Sequence, residues 1–149
     1  MGPDVRLQTR AIPAVSLLVD TSVWSMALRR DAAPDLPEVR ALGDALESGE
    51  LVVTTGIILQ ELLQGFSGPK ARDAILARFN ALPFLIPDRS DHIHAADLRN
   101  QCRRNGIQIG AIDALLGTLC VRHGLSLLTT DADFGRMAEV VPLSVWSRA

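Results

Sequence analysis

Five acidic residues stand where carboxylate chemistry is easiest to build. Asp20 directly follows the apolar run Leu17-Leu18-Val19. Asp131 follows Leu127-Leu128-Thr129-Thr130, and Asp133 lies two residues further on. Glu61 sits in Ile57-Ile58-Leu59-Gln60-Glu61-Leu62-Leu63. There Ile58, Glu61, Leu62 and Gly65 fall at helical spacing, which puts Glu61 on or beside an apolar stripe. Asp113 lies within Ile109-Gly110-Ala111-Ile112-Asp113-Ala114-Leu115-Leu116-Gly117 and shares a helical face with Ile109, Ile112, Leu116 and Cys120. A helix this apolar is expected to be buried nearly all round. An ionised carboxylate there loses several kcal/mol of hydration unless something compensates it.

Each acid also has a plainer reading. Asp20 and Asp131 are good helix N-caps, and Asp133 is an equal candidate for the second of those caps. Glu61 fits the border of a stripe, pointing to water. Asp113 fits a cap after Gly110, or a satisfied buried carboxylate. Taken together the acids are less easily set aside. If the strands ending at Asp20 and Asp131 are neighbours, their carboxylates meet at one edge of a sheet, within reach of Glu61 and Asp113 from flanking helices. Carboxylates so close repel, and they protonate or splay apart. A divalent cation resolves the conflict, because hard Mg2+ and Mn2+ prefer oxygen ligands and keep waters. Zinc has no support. His92 and His94 point to different helix faces, His123 lacks a ligand-spaced partner, and all three histidines read as surface residues. A carboxylate-held cation without a lysine or a phosphate-binding loop suits phosphodiester hydrolysis by an activated water. No Ser/His or Cys/His arrangement competes with it.

The elements that must position these acids follow from the pattern. Short apolar runs over Leu17–Val19, Leu51–Val53, Phe84–Ile86, Ser126–Leu128 and Val141–Leu143 read as strands. Pro142 inside the last one places it at an edge. Helices are expected over Val23–Leu28, Leu36–Gly49, Ile57–Gln64, Ala71–Leu82, Ser90–Asn105, Ile112–His123 and Asp133–Ala138, with Thr54-Thr55 introducing the third. This alternation predicts one α/β domain with a short, mostly parallel central sheet of about five strands flanked by helices on both faces. Ligands in such folds bind beyond the carboxyl ends of the strands.

The chain has 149 residues, 48% apolar and 21% charged, a normal balance for one globular domain. No apolar run approaches the ~20 residues of a membrane span. Net charge is −2, so no overall cationic field draws in nucleic acid. The absence of tyrosine and the single lysine, Lys70, leave no Tyr acid or strand-end lysine. A phosphoaspartate enzyme or receiver domain is disfavoured for that reason, and because Ser22 stands two positions after Asp20 where a haloacid-dehalogenase type needs a second Asp. Cys102 and Cys120 lack metal or redox spacing and fit a reducing cytoplasm. Residues 1–16 read as an irregular N-terminal arm, without the apolar core of a signal peptide, and 17–149 as the domain.

The stretches Leu18-Val19-Asp20-Thr21-Ser22-Val23-Trp24, Leu59-Gln60-Glu61-Leu62-Leu63-Gln64-Gly65, Ile112-Asp113-Ala114-Leu115-Leu116-Gly117 and Leu127-Leu128-Thr129-Thr130-Asp131-Ala132-Asp133-Phe134 occur in this order from end to end of the domain. In that order they resemble the PIN-domain ribonucleases, and within them the VapC-type toxins of toxin–antitoxin pairs. The resemblance spans about Leu17 to Leu143. It implies a PIN-like nuclease domain with Mg2+- or Mn2+-dependent endoribonuclease activity. It assigns metal ligation to Asp20, Glu61, Asp113 and Asp131, with Asp133 a possible fifth acid. It makes Ser22 the hydroxyl that supports the first acid or a metal water. It also implies a homodimer and a small cognate antitoxin that blocks the site. A PIN nuclease of RNA processing and a non-catalytic PIN-like binding module are the alternatives. Arg29, Arg30, Lys70, Arg72, Arg103 and Arg104 are candidates for a basic rim toward RNA, or ordinary solvated charge. Trp24 and Phe134 are candidates for base stacking, with core packing the plainer role. Apolar helix faces over Leu36–Leu82 offer a dimer or antitoxin groove.

Overall fold

The computed structural model describes residues 16–29 and 34–148. The expected arm lies outside the described residues except for Ser16, which opens the first strand. In chain order the elements are β1 (Ser16–Val19), α1 (Thr21–Ala27), α2 (Pro37–Glu47), β2 (Leu51–Thr55), α3 (Gly56–Gly65), α4 (Pro69–Asn80), β3 (Phe84–Leu85), α5 (Arg89–Arg104), α6 (Ala111–His123), β4 (Ser126–Leu128), α7 (Ala132–Met137) and β5 (Ser144–Val145). The strands form one sheet in the order β3-β2-β1-β4-β5, and every pairing is parallel. Leu18 of β1 lies between Val53 and Leu127, all three buried, so the central strand is covered on both faces.

Local chemistry sets the helix ends. Pro37 and Pro69 open α2 and α4, where a missing N–H costs nothing. Asp88 and Asp91 form a capping box at the start of α5. Gly124 closes α6 at φ 65°, a left-handed conformation that glycine adopts without steric cost. Trp24 and Phe134 are both core residues, and Trp24 packs on Phe79 with ring centroids 5.0 Å apart.

One sequence expectation is corrected. The last strand is Ser144–Val145, not Val141–Leu143. Pro142 has no N–H to give a ladder, so pairing begins only beyond it, with Ser126 opposite Ser144. The strand does lie at the sheet's edge, as the proline suggested. Thr54 and Thr55 end β2, and Thr55 introduces α3 as its cap residue, as expected, but without a side-chain capping bond; both are buried, and Thr55 Oγ1 donates instead to the Leu85 carbonyl at 2.7 Å. Among the described residues, no helix is long and apolar enough to cross a membrane.

Candidate active site

β1 and β4 are neighbours, so the condition set by the sequence is met. The Asp20 amide donates to the Leu128 carbonyl at 2.9 Å, which extends the ladder one residue past β1 and brings Asp20 to the chain leaving β4. Asp20 is only 8% exposed, and both oxygens of its carboxylate accept hydrogen bonds. Oδ1 accepts from the Thr21 amide at 2.8 Å. Oδ2 accepts from Ser22 Oγ and from Thr129 Oγ1, each at 2.8 Å. The residue caps α1 and faces the site at once; the two readings are compatible. Ser22 thus supports the first acid, and its Oγ also accepts from the Thr130 amide at 3.2 Å.

Asp131 caps α7, accepting from the Asp133 amide at 2.9 Å. Asp113 is the third residue of α6, after the cap residue Gly110, which has no side chain to offer. One oxygen each of Asp113, Asp131 and Asp133 fall within 4.8 Å of one another. Asp133 therefore belongs to the tight group, while Asp20 and Glu61 stand outside it. Glu61, half-buried on α3, accepts from Thr21 Oγ1 at 2.7 Å, which ties it to the residue beside Asp20. Asp133 also forms an ion pair with Arg136 one turn along α7.

The electrostatics join all five acids. Burial pushes the Asp113 carboxyl up to about 6, and the negative charges of Asp131, Asp20, Asp133 and Glu61 push in the same direction. No hydrogen-bond donor meets the Asp113 carboxylate among the described residues. The helix around it is not buried all round, however. Ile112 and Val121 are each 40% exposed, because one side of α6 is left uncovered and Ile112 helps line an open groove with Ile57, Ala95 and Arg99. The donor set fits a divalent cation: hard carboxylate oxygens from separate elements, one of them without donors and raised by its neighbours.

Other sequence candidates divide. His92, His94 and His123 are exposed. Lys70 and Arg72 on α4, Arg103 and Arg104 on α5, and Arg29 after α1 are all exposed, and Arg30 lies outside the described residues. Sequence reasoning gave no role in the site to Thr21, Thr129 or Arg136. Signals were at hand: Thr21 adjoins Asp20, Thr129 stands two residues before Asp131, and Arg136 follows Asp133 at the i,i+3 spacing of a helical ion pair.

A parallel five-stranded sheet with an acid pocket beyond its central strands defines an α/β protein whose candidate site lies where such sheets bind ligands. The chain belongs to the PIN domain family, whose model matches residues 17–140. It is 30% identical over 133 residues to VapC ribonuclease Mb1587 of Mycobacterium bovis, a match covering 88% of this chain and 98% of that one. It is 32% identical over 119 residues to ribonuclease VapC23 of Mycobacterium tuberculosis, covering 76% and 90%. Its fold is similar to that in the structure of VapBC-1 from nontypeable Haemophilus influenzae, at a TM-score of 0.68 and 17% identity, covering 89% and 98%.

Proposed function

We propose that this chain is a Mg2+- or Mn2+-dependent endoribonuclease that acts in the cytoplasm as the toxin of a toxin–antitoxin pair. The observation that carries this reading is the convergence of Asp113, Asp131 and Asp133, with Asp20 and Glu61 close enough to raise Asp113. Relatives named as ribonucleases and a fold shared with VapBC structures support it. In this reading Asp20, Glu61, Asp113 and Asp131 hold the cation, with Asp133 as a fifth oxygen donor. When bound, the divalent ion supplies an acidified water and positive charge against the phosphate. The chain supplies position. Ser22, Thr129 and the Thr21 amide fix both oxygens of Asp20, and Thr21 Oγ1 fixes Glu61, so neither carboxylate needs to reorganise during the reaction. A cognate antitoxin covers the pocket, and the active form is a homodimer.

The test is cleavage of single-stranded RNA by purified protein with and without Mg2+. Asp113→Asn is expected to lower turnover at least a hundredfold while keeping the wild-type circular dichroism spectrum, since it removes a charge without changing shape. Normal turnover in that variant overturns the site. Growth arrest on expression without a partner, and its loss in Asp113→Asn, tests the toxin role. Sequencing the cleaved RNA ends then identifies the target.

A further inference from the structure

We infer that Arg136 is a substrate-binding residue that takes a backbone phosphate of the RNA at the rim of the acid pocket. The inference rests on the proposed nuclease reading and adds a residue to it. Any polynucleotide must bring phosphates toward five carboxylates in a chain of net charge −2. A cation at the rim is the physical answer, and Arg136 has the required place. It lies on α7 one turn beyond Asp133, whose oxygen belongs to the tight group with Asp113 and Asp131. Among the described residues it is the one cation that pairs with any of the five acids; Arg40 and Arg122 pair with Asp35, Asp88 and Asp91 elsewhere.

The geometry also leaves the guanidinium usable. Only Nη2 is engaged, by Asp133 Oδ1, and the side chain is 60% exposed. The remaining N–H groups form the planar fork that matches two phosphate oxygens. Asp133 then has a second task as a positioning residue, aiming Arg136 from below while the fork faces solvent. An exposed pair between residues three apart contributes little to the fold, so engaging a phosphate instead costs the fold little.

The experiment measures binding rather than cleavage. Asp113→Asn protein is titrated into a fluorescein-labelled oligouridylate by anisotropy across a salt series, with and without Arg136→Ala or Arg136→Lys. Arg136→Ala is expected to weaken binding about tenfold and to reduce the slope of log K against log salt by about one phosphate contact. Arg136→Lys restores the slope, by keeping the charge, but only part of the affinity, by losing the fork. Unchanged affinity and slope in Arg136→Ala overturn this inference and leave the nuclease reading standing. Tighter Mn2+ binding when Arg136→Ala is made with Asp113 intact, together with an unchanged RNA slope, also overturns it, because Arg136 then serves only to neutralise Asp133. An Asp113→Asn protein that binds no RNA at all removes both.

Discussion

Thr129 Oγ1 donates to Asp20 Oδ2 at 2.8 Å and accepts from the Asp131 amide at 3.0 Å. One hydroxyl therefore fixes the spacing between the two acids carried by the sheet, although it lies 109 positions from the first of them. Replacing it with the isosteric Val leaves a buried carboxylate oxygen and an amide each short of a partner. Thr129→Val is expected to lower stability by about 1–3 kcal/mol, read from urea unfolding, and to cut RNA turnover well below wild type. Full activity at wild-type stability refutes the role. At this scale the acids were legible because carboxylates among apolar residues are conspicuous. The threonines that orient them were harder to read than Ser22, because a threonine beside an acid looks the same whether it faces a site or solvent.

Helix α6 brings Asp113 to the pocket, and α7 brings Asp131 and Asp133, so the contact between these helices governs the site. Gly117 makes that contact possible. A Cβ built there meets Met137 Sδ at 2.6 Å and Leu98 Cδ1 at 3.8 Å, and Met137 is fully buried. Gly117→Val is expected to cost about 1–3 kcal/mol through overpacking, and to lower activity by moving α7 from α6. Adding Met137→Ala recovers part of the stability, and the double-mutant cycle gives a coupling that two independent sites lack. Gly117 reads from sequence as a mere break in an apolar run, since its neighbour across the helix gap is 20 residues away in the chain. The same limit explains the last strand. Val141 and Leu143 are buried, as an apolar run implies, but burial does not make a ladder, and Pro142 denies it one. β1, β2 and β4 were legible because runs largely buried on both faces leave no alternation to misread, whereas β3, exposed at the other edge, ends at Leu85, short of the expected Ile86.

For the whole molecule, the acid pocket opposes folding unless a cation or protons neutralise it. The Asp113 carboxyl is pushed from an ordinary 3.8 up to about 6, first by burial and then by its acidic neighbours. Between those values the folded protein holds a proton that the unfolded chain releases. This contribution to stability is complete below the unfolded value and is lost as pH rises through about 6. Asp113→Asn has no proton to lose. In chelator, the variant is therefore expected to gain thermal stability over wild type as pH rises from about 4 to about 7. Mn2+ reverses the order above pH 6. A ligand at a hundredfold its Kd adds about 2.7 kcal/mol to the folded state, or roughly 5–10 °C in Tm for a chain of this size. Wild type shows that shift, and Asp113→Asn shows a much smaller one. Melting curves at several pH values, with chelator and with Mn2+, check both halves. Equal Mn2+ shifts in the two proteins place the cation elsewhere. A wild type whose stability does not fall relative to the variant through pH 6 denies the crowding of carboxylates. That crowding could not be read from the sequence alone, because it depends on β1 lying beside β4, and short apolar runs fix strands without fixing their order.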